Sequence, residues 1–464
     1  MNNIKKTIVG AAIAGCLCYL GTVAYVYHFD TQRSTSSSVA GLSPENAKIL
    51  KMLNQKGCDY CHTPSASLPF YASLPVAKQL MNYDIQIGNK LFDLQPVRQS
   101  LRDGKAAPEA DLAKIEWVMQ NNAMPPARYT ALHWAGKMSQ AERNELLTWV
   151  KQQRRTYYST AGAAAEWQNE PVQILPKSSE VDSNKVALGT RLFHDPRLSG
   201  DGTVSCASCH SLATGGVDGH KTSIGIKEQT GPINAPTVFN AVFNHQQFWD
   251  GRAADLQAQA GGPPLNPKEM GSVSWDEIIA KLDQDTGLKE KFLESYPQGF
   301  TQATITDAIS EFEKTLITPD SPFDRYLRGD EQAITAQQQH GYQLFKENKC
   351  ATCHVGKTLG GQSYEPLGLR KEYFHNDFTD ADIGRLNVTH NERDRFRQKV
   401  PTLRNISLTA PYFHRGDVAT LDEAVRQMMV FQVGENPSAQ DVNDIVAFLN
   451  SLRGVYQPYP IVKH

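Results

Sequence analysis

Three short cysteine and histidine motifs contain the residues whose types and spacing point most directly to chemistry. Each reads C-x-x-C-H, and they lie at Cys58–His62, Cys206–His210 and Cys350–His354. Two thiols at this spacing reach the two vinyl groups of one porphyrin and form thioethers, and the adjacent histidine can then bind the iron. The sequence therefore predicts three covalently bound haem c groups. The attaching thiols and the iron-binding imidazoles are Cys58, Cys61, His62, Cys206, Cys209, His210, Cys350, Cys353 and His354.

The main alternative for such motifs is thioredoxin-like redox chemistry of paired thiols. A single C-x-x-C is usual in that case, and no histidine need follow it. The chain has only 8 cysteines and 13 histidines in 464 residues. Haem attachment therefore explains three complete copies better than either chance or thiol redox chemistry does.

The second axial ligand decides what each haem can do. A thioether gives a low-spin electron carrier, whereas an open position permits chemistry with oxygen species. For the first haem we predict Met124, which precedes two prolines, with Met119 and Met138 as alternatives. For the third haem Met428 and Met429 are both candidates. Adjacent helical side chains point about 100° apart, so at most one of the two faces the porphyrin.

The second haem has no evident methionine partner. The 120 residues after His210 contain only one methionine, Met270. Polar and aromatic residues are instead concentrated in segment 240–252, which reads NAVFNHQQFWDGR. We therefore predict an open or labile sixth position at this haem.

The elements that must position these motifs are predicted to be helices. The pentapeptide G-x-x-L-F precedes the second and third motifs, at Gly189–Phe193 and Gly341–Phe345, and indicates a duplicated cytochrome c unit. Gly88–Phe92 repeats it after the first motif, so the pentapeptide alone is a weak signal. Apolar residues recur at helical spacing in 116–121, 141–152, 305–316, 421–430 and 441–452.

The predicted fold is mainly α, with three cytochrome c-like haem domains in tandem after one N-terminal transmembrane helix. The motifs begin 148 and 144 residues apart, close to the length of about 150 residues that is typical of one domain. The predicted segments are an anchor at 1–30, a polar tether at 31–42, and haem domains at 43–165, 166–330 and 331–464.

The N-terminal apolar run, Thr7–Tyr27, contains no charged residue and is long enough to cross a hydrocarbon core of about 30 Å. No small-x-small cleavage site follows it, which favours an uncleaved anchor over a signal peptide. Lys5 and Lys6 precede the run, and this predicts a cytoplasmic N-terminus with the haem domains on the opposite side of the membrane. The net charge of −2 offers no basic surface for nucleic acid.

Residues from about 175 to 460 resemble the bacterial di-haem cytochrome c peroxidases. Several segments in the same order along the chain carry the resemblance: Gly231–Thr237, Phe248–Ala253, Gln259–Met270, Thr402–Asn405 and Thr409–His414. With an added N-terminal haem domain and an anchor, the whole chain looks like the tri-haem quinol peroxidase branch of that family.

The resemblance implies a role for the second and third haems and for several side chains. The second haem is expected to react with peroxide, and the third to receive electrons, with Met428 as its thioether ligand. Glu269 and Gln259 match the polar pair at the peroxide site. Glu269 is expected to move the proton during O–O cleavage and Gln259 to orient peroxide. Trp249 matches the aromatic residue between these two haems.

The resemblance further implies one calcium ion between the two haem domains. Asn234, Thr409 and Pro411 match this site, in which amide and backbone oxygens bind the hard cation. One position departs from the family pattern, because Ile226 stands where many members have a histidine that blocks the peroxide-reactive iron. His220 is offset from that position by six residues. An open or water-bound iron is therefore expected.

The activity implied is reduction of hydrogen peroxide to water. The expected electron donor is membrane quinol or a periplasmic cytochrome c, with electrons passing from the first haem to the third and then to the second. One alternative is a multihaem electron-transfer subunit without peroxidase activity. Another is a di-haem oxidase that acts on a partner protein and uses tyrosine in place of Met428. The sequence is also compatible with a homodimer.

Overall fold

The computed structural model describes residues 2–36, 39–64 and 66–459. Helices dominate this part of the chain and its strands are short, so the predicted mainly α fold is confirmed. The chain divides into two compact units, residues 1–158 and 159–464, and the second unit contains both the second and the third motif. Residues 37–38 of the predicted tether and 460–464 of the predicted third haem domain lie outside the described residues.

The first unit packs its helices around a core that includes Leu50, Leu101, Leu112 and Trp149. Ser43 caps α2 by accepting a hydrogen bond from a backbone N–H, and Ser139 with Glu142 forms a capping box at the start of α8. The described helices of this unit are α1 (Asn2–Ser36), α2 (Pro44–Gln55), α3 (Cys58–His62), α4 (Pro75–Leu91), α5 (Gln95–Asp103), α6 (Glu109–Gln120), α7 (Ala127–Thr130) and α8 (Gln140–Gln153).

Helix α1 is longer than the predicted anchor. Its segment Ile4–Arg33 has a length and a mean hydropathy, 1.8, that suffice to cross a membrane. The helix continues through Thr31–Ser36, where the polar composition predicted the start of a flexible tether. Arg33 explains the difference, because its guanidinium pairs with Asp59 at 2.6 Å and lies 4.3 Å from the centre of the Tyr60 ring. These contacts fix the end of the helix on the first unit.

The second unit contains two hydrophobic cores. One lies between Val186 and Leu316, in the part with the second motif, which we call the second repeat. The other lies mainly between Phe323 and Leu452, in the part with the third motif, which we call the third repeat. A two-stranded antiparallel sheet pairs Tyr364 with Lys399 and Pro366 with Arg397. The described helices and strands of the second unit are α9 (Ser183–Phe193), α10 (Cys206–Cys209), α11 (Leu256–Ala260), α12 (Trp275–Leu282), α13 (Thr286–Ser295), α14 (Gln302–Glu313), α15 (Pro322–Leu327), α16 (Ala336–Glu347), β1 (Tyr364–Pro366), α17 (Asp380–Ile383), α18 (Leu386–Thr389), β2 (Arg397–Lys399), α19 (Leu421–Gln427) and α20 (Ala439–Asn450).

The two repeats of the second unit share one helix crossing, which is made by the glycine of each G-x-x-L-F segment. A Cβ atom on Gly189 of α9 would lie 1.8 Å from the carbonyl oxygen of Ala308 on α14. A Cβ atom on Gly341 of α16 would lie 1.9 Å from the carbonyl oxygen of Asp444 on α20. Only glycine permits this approach in either repeat, and the equivalence supports the predicted duplication.

A buried arginine joins four parts of the second unit. Arg404 is 1% exposed and pairs with Asp324 at 2.8 Å, inside the protein. Its guanidinium also donates to Ser321 Oγ, to the carbonyl oxygen of Gln173 and to that of Lys357. A charge buried this deeply is stable only with such a complete set of partners.

Candidate functional site

The three motif histidines share one hydrogen-bonding arrangement. A carbonyl oxygen can only accept, so each Nδ1 that faces one carries the hydrogen and donates it, and each Nε2 keeps its lone pair for a metal. Burial lowers the pKa of all three imidazoles, that of His354 to about 4, and keeps them neutral. The distances from Nδ1 to the accepting oxygen are 3.1 Å from His62 to Phe92, 3.2 Å from His62 to Gly88, 3.3 Å from His210 to Gly216 and 3.0 Å from His354 to Leu359.

The motif cysteines suit covalent attachment of haem. None of the six forms a disulfide. Each pair lies on or beside one short helical turn: α3, α10 and the turn Cys350–Thr352. In the described part of the chain no group of three or more His, Cys, Asp or Glu side chains could hold a metal ion by itself. Paired thiols next to a neutral imidazole with a free Nε2 fit a haem c at each motif.

The pentapeptide copy in the first unit has a different role from the other two. Gly88–Phe92 lies at the end of α4, and the carbonyl oxygens of its first and last residues are the two that accept from His62. The Phe92 ring also packs edge-on against His62, with ring centres 5.3 Å apart. Its position after the motif therefore reflects direct support of the first ligand.

The first core separates the three candidate methionine ligands of the first haem. Met119 is 8% exposed and lies inside the core, whereas Met124 and Met138 pack at its edge. The carbonyl oxygen of Met124 accepts a hydrogen bond from Arg143 at 2.9 Å. Met119 is therefore a core residue. The assignment of Met124 as the iron ligand stays a prediction.

The two candidate methionines of the third repeat also differ in environment. Met429 is 3% exposed and belongs to the core that contains Val425 and Val442. Met428 is only half-buried and begins a π-helical segment, Met428–Val433, directly after α19. Such wide turns are frequent at functional sites. The packing favours Met428 as the ligand, which remains a prediction.

Glu269 of the second repeat lies in the loop after α11. Its Oε1 atom accepts a hydrogen bond from Asn266 Nδ2 at 2.7 Å, and the side chain is half-buried. Burial raises the pKa of the Glu269 carboxyl, while the charge of Arg252 and the hydrogen bond from Asn266 oppose that rise. A carboxyl group whose pKa is raised in this way is a better proton acceptor than an exposed glutamate and can return the proton it takes up.

A glycine-rich loop packs directly on the Glu269 segment. The backbone N–H of Ile226 donates to the carbonyl oxygen of Glu269 at 2.9 Å. A Cβ atom on the preceding Gly225 would lie 2.0 Å from the carbonyl oxygen of Lys268, so only glycine permits this approach. The Ile226 side chain is 6% exposed and packs in the same core as Met270. His220, the nearest histidine in sequence, is exposed.

Gln259 and Trp249 lie in different parts of the same repeat. Gln259 is half-buried on α11, and no hydrogen bond joins it to Glu269, whose partner is Asn266. The Trp249 indole donates to the carbonyl oxygen of Asn234 at 2.9 Å, and its own carbonyl oxygen accepts from the N–H of Lys399 at 2.6 Å. Trp249 therefore lies where the second and third repeats meet.

The polar and aromatic segment 240–252 packs against the third repeat. Tyr364 donates its hydroxyl hydrogen to Gln246 at 2.8 Å, and Arg385 donates to the carbonyl oxygen of Asp250 at 3.0 Å. The polar groups of this segment thus contribute to the junction between the repeats.

Asn234, one of the predicted calcium ligands, bridges several loops. Its N–H donates to the carbonyl oxygen of His414 at 2.8 Å, and its side-chain nitrogen donates to those of His220 and Lys221. Among the residues that the structure describes, none donates a hydrogen bond to the side-chain Oδ1 of Asn234. The carbonyl oxygens of Thr409 and Pro411 likewise accept no hydrogen bond in the described part of the chain. Oxygens without donors fit the predicted calcium site, which stays a prediction.

Comparison with known proteins identifies families in three successive parts of the chain. The haem-binding domain family matches residues 18–152, the di-haem cytochrome c peroxidase family matches 183–332, and the cytochrome c family matches 338–453. A cytochrome c peroxidase of Escherichia coli (strain K12) is 63% identical over 454 residues, which cover 97% of this chain and 98% of that protein.

This chain belongs to the di-haem cytochrome c peroxidase family.

A second member of the family, the cytochrome c551 peroxidase of Nitrosomonas europaea, is 46% identical over 64% of this chain and 87% of its own. Among solved structures, a MauG-like protein associated with microbial copper homeostasis matches with a TM-score of 0.55 and 29% identity, over 60% of this chain and 95% of its own. Both matches cover less of this chain than the E. coli relative does. The predicted family is confirmed by the E. coli relative, which is 63% identical over 97% of this chain.

In this di-haem cytochrome c peroxidase, sequence reasoning missed the two residues that act on the Glu269 carboxylate, Asn266 and Arg252. Asn266 holds its carboxylate, and its position before a proline signals a turn without revealing this contact. Arg252 stacks on Phe248, 3.5 Å from the ring centre, and acts on Glu269 through its charge. In the first unit, no sequence pattern indicates that Asp30 and His133 meet.

Proposed function

We propose that this chain is a periplasm-facing c-type haem peroxidase, anchored in the inner membrane, that reduces hydrogen peroxide to water with electrons from membrane quinol. The electrons enter at the first motif and reach the second through the third. The environment of Glu269 carries the proposal, since a half-buried carboxyl with a raised pKa beside a cationic side chain fits proton transfer. The E. coli relative, a cytochrome c peroxidase matched over nearly its whole length, supports the same activity.

The overall reaction consumes one peroxide, two electrons and two protons and releases two waters. Cys206, Cys209 and His210 would hold the haem of this site, which would supply the redox-active iron for peroxide reduction. Glu269 accepts a proton from one peroxide oxygen and delivers it to the departing oxygen, which then leaves as water. Gln259 orients peroxide by donating a hydrogen bond from its side-chain amide.

Two further residue sets support electron supply and structure in this proposal. Trp249 lies at the junction between the repeats and provides an aromatic path between their haems. Asn234, Thr409 and Pro411 hold one calcium ion there through oxygen atoms. Helix α1 favours quinol over a soluble donor, because it keeps the first unit at the membrane.

Comparing two donors tests the proposed electron source. Purified protein in detergent should turn over peroxide with decylubiquinol faster than with reduced cytochrome c. Faster turnover with cytochrome c would contradict quinol as the donor and would identify a cytochrome c as the electron source. No turnover with either donor would favour an electron-transfer subunit instead.

We expect three covalently bound haems in each chain. Intact-mass measurement should give the polypeptide mass plus three haems, and replacing both cysteines of one motif by alanine should remove one haem. A wild-type mass gain of fewer than three haems would contradict the assignment of at least one motif.

Met428 and Met429 form a matched pair for identifying the thioether ligand of the third haem. Met428→Leu should remove the ligand, lower the potential of that haem and slow reduction of the second, because loss of the thioether disfavours the reduced iron. Met429→Leu should cost stability with little change in potential, since Met429 lies in the core. Potentiometric titration of both variants checks the assignment, and the reverse pattern would make Met429 the ligand.

We expect the fully oxidised protein to bind cyanide or fluoride at the second haem without prior reduction. Ile226 has no group that could ligate iron, and its side chain is packed in the core. Optical titration of the oxidised protein measures this binding. If no ligand binds and the electron paramagnetic resonance spectrum shows only low-spin iron, a protein side chain occupies the sixth position.

A further inference from the structure

A buried hydrogen-bonded cluster connects the membrane helix to the first haem motif. It consists of Asp30 on α1, Tyr60 on α3, Tyr71 in the turn before α4, and His133 after α7. All four side chains belong to the first unit, and their exposures are 1% for Asp30 and Tyr60, 2% for His133 and 7% for Tyr71. The mechanism proposed above assigns no role to any of them.

The hydrogen bonds of the cluster have a defined direction. His133 Nδ1 lies 2.8 Å from Asp30 Oδ2 and donates to it, since a carboxylate accepts. His133 Nε2 then accepts the hydroxyl hydrogen of Tyr71. Burial raises the pKa of Tyr71, which keeps its hydroxyl protonated as this donor. This arrangement orients the His133 ring through a carboxylate and points its Nε2 atom at the Tyr71 hydroxyl.

The opposite end of the cluster reaches the haem motif. The Tyr60 hydroxyl donates to Asp30 Oδ1 at 2.6 Å, and Tyr60 is itself the third residue of the motif Cys58–His62. Its ring lies 5.3 Å from that of His133, measured between centres. A proton acceptor at His133 therefore lies beside the motif at which electrons are proposed to enter.

The Tyr71 end lies next to apolar groups of the membrane helix. Phe70, which precedes Tyr71, packs edge-on against Tyr25 of α1, with ring centres 4.9 Å apart. Phe70 is 53% exposed and Leu74 is 50% exposed, so this surface is apolar where it meets the anchor. Tyr71 is also the least buried member of the cluster. A lipid-dissolved molecule thus has an apolar approach to the end at which a proton would enter.

We propose that Tyr71, His133 and Asp30 form the proton-accepting side of a quinol oxidation site at the junction of the anchor and the first unit. The inference rests on the proposed function, in which quinol is the donor. Tyr71 is the catalytic residue that touches the quinol, and His133 and Asp30 are positioning residues that act through it.

Each quinol loses two electrons and two protons and leaves as quinone. For each electron that passes to the first haem, one quinol O–H bond breaks. Its proton goes to the Tyr71 oxygen while the Tyr71 hydrogen goes to His133 Nε2. The imidazolium is stabilised by the Asp30 carboxylate and releases its proton to water before the second transfer.

Tyr71→Phe and Tyr129→Phe are the matched variants for a test. The Tyr129 ring stacks on His133 with centres 4.1 Å apart, but its hydroxyl donates to the carbonyl oxygen of Lys56, outside the chain of hydrogen bonds. In stopped-flow experiments on the holoprotein, Tyr71→Phe should lower the maximal rate of haem reduction by decylubiquinol by about 10²-fold. The half-saturating quinol concentration, reduction by dithionite and the Tyr129→Phe variant should be unchanged.

Asp30→Asn supplies a second test with a readout besides haem reduction. The asparagine amide can donate to His133 Nδ1, which would move the ring hydrogen to Nε2 and prevent it from accepting from Tyr71. The variant should therefore be reduced slowly by decylubiquinol. Decylubiquinone should still raise its unfolding temperature as it does for the wild type, because the binding surface is intact.

One result would overturn quinol as the proposed donor, and a different result would overturn the role of the cluster. If decylubiquinol fails to reduce the wild-type protein while cytochrome c succeeds, the proposed donor is wrong. If it reduces the wild type and Tyr71→Phe equally fast, and the variant only unfolds at a lower temperature, the cluster is a structural attachment of the anchor and the inference is wrong.

Discussion

His210→Ala should abolish peroxide turnover while leaving covalent haem content unchanged. The two thioethers proposed at Cys206 and Cys209 involve the thiols and not the imidazole, so the mass of the protein should still include three haems. The iron of the second haem would lose the ligand whose Nδ1–H is held by the carbonyl oxygen of Gly216. Peroxide consumption with quinol as donor, measured beside intact mass, checks this result.

His194→Ala is the matched control for that variant. His194 also faces a backbone carbonyl through Nδ1, at 2.8 Å from Thr190, but it is exposed and lies outside every C-x-x-C-H motif. Its loss should leave turnover within about twofold, as expected for surface changes of up to roughly 0.5 kcal/mol. If His210→Ala kept substantial activity, peroxide would be reduced at another haem.

Glu269→Gln should lower peroxide turnover by about 10²-fold or more. The substitution keeps the size of the side chain and its bond to Asn266 but removes the basic oxygen. The wild type should lose activity as the pH falls through the raised pKa of Glu269, because the protonated carboxyl cannot accept a proton. In the variant this acidic limb should disappear. Steady-state assays across pH, together with unchanged reduction of the first and third haems, check the role.

Glu228→Gln serves as the control for Glu269→Gln. Glu228 is an exposed carboxylate in the loop that packs on the Glu269 segment, so its removal tests the effect of lost negative charge alone. Its turnover and pH profile should match those of the wild type. Equal losses in both variants would show that Glu269 acts through general charge and not as a proton carrier.

The sequence predicted the parts of the molecule that depend on local spacing. The C-x-x-C-H motifs fix thiols and imidazole within five residues, and the apolar run of α1 is a continuous segment. Both follow from chemistry that neighbouring residues determine. The choice between Met428 and Met429 needed packing information, because spacing alone allows either side chain to face the haem.

Contacts between residues that are far apart in the sequence could not be predicted from the sequence. The partners Asp30 and His133 are 103 positions apart, and Arg33 meets Asp59 from a segment whose composition predicted a tether. Propensity describes Thr31–Ser36 in isolation, whereas the ion pair and the Tyr60 ring decide its structure. Arg252 likewise gives no sequence signal for its effect on Glu269, because that effect comes from the folded loops.

Arg404 affects the order of events as the second unit is made. In a chain that is translocated N-terminus first, as the proposed periplasmic location requires, Ser321, Asp324 and Lys357 cross the membrane before Arg404. Until Arg404 follows, the Asp324 carboxylate lacks the guanidinium with which it is buried. The loop that follows Cys350–His354 is therefore not locked when the third motif reaches the periplasm. The proposed haem attachment at these thiols can take place while the loop is still open, and the arrival of Arg404 then closes the site.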